Sequence, residues 1–478
     1  MKSANFINGE WIQTREGERY GVINPADETL IEELNYGGGA EALAAVAAAD
    51  QAFKEWAGQT AYQRANLLAE LARAMRSHQE ELARLLTCEV GKPVAESLGE
   101  VNGAADQYQW YAEEVKRSAG DVIPNRMADK RHLTIRHPVG PVAAISPWNF
   151  PLLLSARKLA PALAAGCTVV NRPASQAPLA QMRVFELMDE VGFPRGVVNL
   201  VVGSPAACSK VFVEDPRIKK ISFTGSLEVG RELYQACAAQ MKKISLELGG
   251  HSPFIVLPDM DVEEAAASAA FAKFRNMGQV CISPSRFLVP NAMKSAFEAA
   301  VVQAVSKLKI GNGLEAFTEV GPLFEARRLS ATQAFVDDIR ERGGKILWGG
   351  ERPEGFEDGF FYTPTVATDL APDSLILREE PFAPILPIIG YETVDEAVEI
   401  ANNTPYGLAA YALTRNLSWT IRLAEELEAG MIGINDLAPA AAQCPFGGMK
   451  ASGLGREGWR QGLEGYFETK YVSIGLSE

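Results

Sequence analysis

Cys281 sits in the run Lys273-Phe274-Arg275-Asn276-Met277-Gly278-Gln279-Val280-Cys281-Ile282-Ser283, between an Ala-rich apolar stretch (264–272) and the strand-like segment 286–290. A thiol among Gly and Asn between a helix and a strand is placed to meet a ligand. Cysteine attacks carbonyls because its thiolate is accessible near neutral pH when N–H groups or cations favour the charge. The commoner fate of one cysteine is a buried, inert thiol. Carbonyl chemistry therefore requires that the chain also supply a base, an oxyanion donor and a cofactor site.

Glu247, in Leu246-Glu247-Leu248-Gly249-Gly250, stands between two leucines. A carboxylate in apolar surroundings has its pKa raised toward neutrality, as a general base needs. The plainer alternative is an outward-facing Glu on an alternating strand. The segment 223–230, Phe-Thr-Gly-Ser-Leu-Glu-Val-Gly, leads into a helix whose backbone N–H groups suit a phosphate. It lacks the G-x-G-x-x-G spacing and is weak evidence alone. Glu379-Glu380-Pro381-Phe382-Ala383-Pro384 reads as a rigid turn that presents a carboxylate and an aromatic ring.

The elements that must position these residues follow from periodicity. Residues 6–35 read as short strands with a hairpin signal at Asn8-Gly9. Residues 40–118 turn helical, with separate helices expected over 42–56, 62–78 and 80–91. A strand is expected over 130–142, then alternating units: strand 142–145, helix 153–165, strand 167–171, helix to 191, strand 197–202, helix from 205, strand 220–223, helix to 241 and strand 243–250. Such alternation implies a parallel, doubly wound α/β sheet, whose ligands lie beyond the carboxyl ends of the strands. The turns at Trp148-Asn149, 172–175 and 223–226 fall there. Past Cys281 the alternation resumes: helix 296–308, turn 311–313, helix 329–342, and strands near Lys345 and Phe360, forming a second α/β domain. Residues 466–476 read as a strand with an exposed edge, suited to pairing with another domain or subunit.

Composition bounds the function. A chain of 478 residues exceeds one ordinary core, and 47% apolar with 22% charged residues is globular. A net charge of −14 without a Lys/Arg-rich run argues against nucleic acid. The six cysteines, Cys88, Cys167, Cys208, Cys237, Cys281 and Cys444, include no CxxC pair, as expected of free thiols in a reducing compartment. With only four histidines and no zinc spacing, no metal site is expected. The N-terminal residues lack a signal-peptide apolar region, and no apolar run is long enough to span a bilayer, so a cytoplasmic location without membrane contact is expected.

Six segments in this order closely resemble the aldehyde dehydrogenase superfamily over essentially the whole chain: Pro147-Trp148-Asn149-Phe150-Pro151, Phe223-Thr224-Gly225-Ser226, Leu246-Glu247-Leu248-Gly249-Gly250, Gly278-Gln279-Val280-Cys281, Glu380-Pro381-Phe382 and Pro445-Phe446-Gly447-Gly448. The resemblance implies a Rossmann-type cofactor domain (1–118 and 138–246), an α/β catalytic domain (247–445) and a small β oligomerisation element (119–137 and 446–478) in a homodimer or homotetramer. It implies Cys281 as nucleophile, Asn149 and the Cys281 N–H as oxyanion donors, and Glu247 as the base that activates water. Ser146, Pro147, Trp148, Arg172, Ala174, Ser175, Thr224, Gly225, Ser226, Gly230, Leu248, Glu380 and Phe382 would bind the dinucleotide. Glu380 would hold the nicotinamide ribose, with Phe382 beside it.

Departures from the family pattern sharpen this. Arg172 stands where Lys is usual and Ser175 where NAD-preferring members often carry Glu. An arginine fork without a repelling carboxylate suits a 2′-phosphate, so NADP is expected to be accepted as well as NAD. Arg157 and Arg275 match the two arginines with which the succinate-semialdehyde subgroup holds a substrate carboxylate. That subgroup's serine before Pro445 is replaced by Ala440 and Ala441, which weakens the preference for succinate semialdehyde over glutarate or 2-oxoglutarate semialdehyde. Ser283 replaces a second loop cysteine, so no disulfide within the loop is available. The expected activity is oxidation of a small semialdehyde acid. The rivals are a broad-range aldehyde dehydrogenase, a thiol hydrolase using Cys281 and His251, and a non-catalytic binding protein.

Overall fold

The computed structural model describes residues 2–3, 5–14 and 19–476. Five parallel strands lie in the spatial order Lys243–Glu247, Lys220–Thr224, Val142–Ile145, Val169–Arg172, Val198–Leu200. In chain order the first strand is central, the next two lie to one side and the last two to the other. The direction of winding therefore switches between Val142–Ile145 and Lys220–Thr224, where an α/β sheet opens a crevice at its carboxyl edge. All residues of Val142–Ile145, Val169–Arg172 and Lys220–Thr224 are buried. Helices cover both faces of such a sheet, so its strands read as continuous apolar runs.

The sheet is extended by antiparallel strands at both ends. Asn5–Ile7 and Glu10–Ile12 form a hairpin with Ile7 opposite Glu10, and Asn8 and Gly9 both have positive φ (54° and 77°), as a two-residue primed turn demands. The other early strands form a separate sheet, in which Leu30–Asn35 is central between Lys2–Ser3 and Arg19–Ile23; residues 15–18 of the expected strand region lie outside the described residues. At the opposite end Gly453–Leu454 pairs with Lys243–Glu247, setting Gly453 across from Glu247.

The expected N-terminal helices are Gly39–Gly58, Ala61–Ser77 and Gln79–Val90. A fourth, Val94–Glu114, was not separable in the sequence: its buried face includes Ser97, Glu100 and Gln107, so the apolar stripe is broken. The helix after Gly225 ends at Ala238, short of the expected 241, and Met241 turns the chain with φ 52°.

The second sheet runs Lys345–Trp348, Thr365–Thr368, Ile385–Tyr391, Pro284–Pro290, Ser252–Val256, Ala409–Leu413, Met431–Ile434, parallel except for the first. The strand expected near Phe360 is Thr365–Thr368. Phe360, Phe361 and Tyr362 are buried but outside any strand, so their aromatic run reflects core packing rather than a ladder. The C-terminal strand Phe467–Gly475 pairs antiparallel along its whole length with Lys130–Pro138, with Val122–Ile123 on the far side. Its other edge has no ladder partner among the described residues. Val122, Ile135, Tyr471 and Ile474 are exposed on this three-stranded arm. No helix among the described residues is long and apolar enough to cross a membrane.

Candidate active site

The loop carrying Cys281 begins where the helix Val262–Phe274 stops. Asn276, Met277 and Gly278 take φ of 45°, 57° and 70° in succession, a conformation costly for the first two. Surrounding bonds fix it. The Glu96 carboxylate accepts the Asn276 N–H at 3.0 and 3.2 Å. The Gln279 side chain donates to the Asn276 carbonyl at 3.2 Å and accepts from the Phe324 N–H at 3.0 Å. Gly278 is obligatory, because a Cβ there would lie 2.5 Å from the Ala383 carbonyl oxygen. The Ser283 N–H closes a turn around Cys281 onto the Val280 carbonyl at 2.9 Å.

Asn149 follows the central strand of the first sheet and meets this loop from the other side. Its side-chain amide donates to the Gln279 carbonyl at 3.0 Å. Its own carbonyl accepts from Lys92 Nζ at 3.0 Å and Asn276 Nδ2 at 3.2 Å. Lys92 is ion-paired with Glu100, both side chains fully buried. Glu100 also accepts the N–H groups of Leu152 and Leu153, at 2.8 and 3.2 Å. That carboxylate therefore caps the helix Pro151–Ala165 and fixes the turn that carries Asn149.

Glu247 ends its strand 2% exposed, so it is not the outward-facing residue that alternation allowed. Neither carboxyl oxygen has a hydrogen-bond partner in the protein. Burial, then the Glu457 charge, pushes the carboxyl up to about 8, with Lys158 and Arg157 pulling the other way. Lys158 and Glu457 form a buried ion pair, and Lys158 also donates to Thr224 Oγ1 at 2.6 Å. Half-buried Cys281 has its thiol held well above the ordinary range, by burial and then by Glu247 and Glu380, while Arg157 lowers it. Cys281, Glu247 and Arg157 thus feel one another's charge.

Cys281, Arg157, Arg275 and Phe446 open on one cavity of about 540 Å³. The Arg157 guanidinium lies 3.6 Å from the centre of the Phe446 ring, and that of Arg275 lies 5.2 Å from Phe150. Arg157 is 2% exposed and its Nε has no partner. Neither arginine makes an ion pair among the described residues. Ala440 and Ala441 line the same cavity.

The remaining predicted residues gather at the switch-point crevice. Buried Ser146 meets Ser155 at 2.7 Å through the hydroxyls. After Pro147, Trp148 stacks on Phe324 at 4.1 Å and meets the Phe382 ring edge-on at 5.8 Å. Gly225 precedes the helix Leu227–Ala238, which Ser226 caps through the Val229 N–H. Gly230 packs on Leu248: a Cβ there would lie 2.5 Å from Leu248 Cδ2. Beside buried Ala174, Arg172 donates to Ser175 Oγ at 2.8 Å and to the Gly203 carbonyl at 3.1 Å. Its Nε is buried without a partner. Glu380 accepts the Gly250 N–H at 3.1 Å.

The Aldehyde dehydrogenase family matches residues 11–472. The chain belongs to that family. It is 43% identical over 471 residues to the succinate-semialdehyde dehydrogenase [NADP(+)] GabD of Escherichia coli K12, covering 98% of this chain and 97% of that protein. It is 42% identical over 471 residues to a glutarate-semialdehyde dehydrogenase of Pseudomonas putida, covering 98% and 97%. A crystal structure described as an E. coli NADP dependent enzyme superposes with a TM-score of 0.97 at 42% identity, covering 99% of this chain and 98% of that one. The dinucleotide that an aldehyde dehydrogenase implies fits the residues present: a capped helix start at the switch point and a buried guanidinium with a free Nε are donors suited to phosphate.

Sequence reasoning missed Lys92, Glu96, Glu100, Lys158 and Glu457, which hold these groups in place. The available signal was the spacing of Glu96 and Glu100, four residues apart and therefore on one helical face.

Proposed function

We propose that this aldehyde dehydrogenase oxidises a small semialdehyde acid, succinate semialdehyde or its glutarate homologue, to the dicarboxylic acid with NADP or NAD. The observation that carries the reading is the shared cavity, in which two arginines that form no ion pair among the described residues face the same space as Cys281. A substrate carboxylate held by Arg157 and Arg275 sets its distance to the aldehyde and so orients the carbonyl.

The Cys281 thiol gives its proton to solvent in the open cavity, the thiolate being favoured by Arg157. The sulfur then attacks the aldehyde carbon to give a thiohemiacetal. Asn149 Nδ2 and the Cys281 N–H stabilise its oxyanion, each donor being worth a few kcal/mol in such sites. A nicotinamide held at Glu380 and Phe382 would supply the hydride acceptor that this carbon needs for the Cys281 adduct to become a thioester. Glu247 then takes a proton from the attacking water, the C–S bond breaks to return the Cys281 thiolate, and the acid departs.

The cofactor residues are those at the crevice. Glu380 and Phe382 serve the nicotinamide end, with Ser146, Pro147, Trp148, Thr224, Gly225, Ser226, Gly230 and Leu248 along the dinucleotide. Arg172, Ala174 and Ser175 serve the adenosine ribose, and the names of the NADP relatives agree with a tolerated 2′-phosphate. Residues 1–118 with 138–246 act as the cofactor domain and 247–445 as the catalytic domain, bridged by 119–137 and 446–478. The exposed apolar residues of the three-stranded arm suit a homodimer or homotetramer. Six unpaired cysteines suit a cytoplasmic enzyme.

Initial rates test the substrate reading. With NADP or NAD, succinate and glutarate semialdehydes should exceed butanal in kcat/KM by at least about tenfold, one well-placed charged contact. Equal values would favour the broad-range reading, which the alanine wall at 440–442 supports.

A further inference from the structure

Lys273 lies in the last turn of the helix Val262–Phe274, 1% exposed, a place where an ammonium group is seldom found. Its Nζ donates to the Pro284 carbonyl at 3.1 Å. Pro284 opens the next strand, so this bond closes the base of the loop that carries Cys281. A methionine would fill the same space without desolvating a charge, so packing alone does not account for a lysine.

Lys273 forms no ion pair with Glu380, but Glu380 is the carboxylate whose charge it feels. Burial pulls the ammonium down to about 7, and Glu380 opposes that fall. Burial likewise lifts Glu380 to about 7, while the Gly250 N–H, Arg328 and Lys273 favour its ionised form. The two segments also touch. A Cβ on Gly278, in the loop, would lie 2.5 Å from the Ala383 carbonyl oxygen and 3.2 Å from Lys273 Cε. Arg328 pins the opposite side of the turn through the carbonyls of Pro381 and Phe382, at 2.8 and 3.0 Å. The Lys273 side chain thus lies against Gly278, where the thiol loop meets Ala383 of the Glu380 turn, and ties the base of that loop through Pro284.

We propose that Lys273 is a positioning residue that couples the Glu380 turn to the Cys281 loop, so that a dinucleotide engaging Glu380 changes how the thiol is presented. The inference rests on the reading of Glu380 as the ribose-binding carboxylate. A ligand hydroxyl that occupies Glu380 alters the countercharge available to Lys273, and with it the pull of Lys273 on the Pro284 carbonyl.

The test is the alkylation rate of Cys281 by iodoacetamide with and without NADP, corrected with the Cys281→Ser protein, while NADP binding is followed separately by tryptophan fluorescence. In the wild type NADP should change the rate by about fivefold or more, the lower end of common coupling. Lys273→Met should bring the ratio to about one, and Lys273→Arg should restore part of it. If Lys273→Met does not fold, Glu380→Gln, which keeps the lysine, should flatten the ratio in the same way. A wild-type ratio in the folded Met variant or in Glu380→Gln overturns the proposal. So does a wild type that binds NADP without any change in alkylation. If the wild type binds neither NADP nor, in the same assays, NAD, the dinucleotide reading falls together with the coupling.

Discussion

The Asn149 side chain donates to the Gln279 carbonyl at 3.0 Å, joining the turn after the central strand of the first sheet to the loop that carries Cys281. One amide group therefore sets the approach of the two halves of the site and is the donor proposed for the oxyanion. Asn149→Ala should lower kcat by about 10²–10³, the usual loss for one such donor. The Lys92 and Asn276 bonds go to the Asn149 backbone and survive the substitution. The melting temperature should therefore fall only by a few degrees, for about 1 kcal/mol or less. A large loss of stability with a proportionate loss of activity would assign Asn149 to structure alone.

Glu247 governs the expected pH dependence. Its carboxyl is pushed up to about 8, chiefly by burial, and only the ionised form can accept a proton. About one-tenth is ionised at pH 7, so turnover limited by thioester hydrolysis should rise as pH increases through 8. Glu247→Gln should abolish this rise and leave a burst of about one reduced nicotinamide per site followed by slow turnover. Stopped-flow absorbance at several pH values checks both. A Gln variant with full steady-state turnover would remove Glu247 from the chemistry.

Arg157 and Arg275 should act on the substrate's charge rather than on the chemistry. Either Arg157→Leu or Arg275→Ala should lower kcat/KM for succinate semialdehyde by about 10- to 100-fold, the worth of a charge-assisted contact. Butanal should lose far less. Arg275 is the cleaner test, because Arg157 is fully enclosed against Phe446 and its removal also leaves a void. Equal losses on both aldehydes would make the arginines structural.

The parts of the protein legible in the sequence were those written in contiguous residues. Alternating apolar strands and helices gave the doubly wound sheet, and the Asn149, Glu247 and Cys281 segments each carry their own local pattern. What escaped joins distant residues. Lys158 and Glu457 are 299 positions apart, and Glu96 and Asn276 are 180 apart; neither pair leaves a periodic trace. Lys158 and Arg157 also sit in a helix buried almost throughout, Pro151–Ala165, where an apolar stripe cannot say which charges face a site. Near Phe360 the error ran the other way: an apolar aromatic run resembled a strand but packs into the core as a loop.

Cofactor choice should turn on Arg172. Its Nη2 is engaged by Ser175 and the Gly203 carbonyl, but its buried Nε is free. The guanidinium is thus held in place with donor capacity left for a phosphate oxygen. Arg172→Ala should raise KM for NADP by about tenfold or more while leaving NAD within about threefold, since only the 2′-phosphate loses a charged partner. Ser175→Glu should act in the same direction by placing a carboxylate beside Arg172: it would pair with the guanidinium and repel the phosphate, so NAD becomes the better substrate. Parallel titrations of both dinucleotides at fixed aldehyde measure the ratio. A ratio unmoved by either change would place the 2′-position elsewhere in the crevice and remove Arg172 from cofactor discrimination.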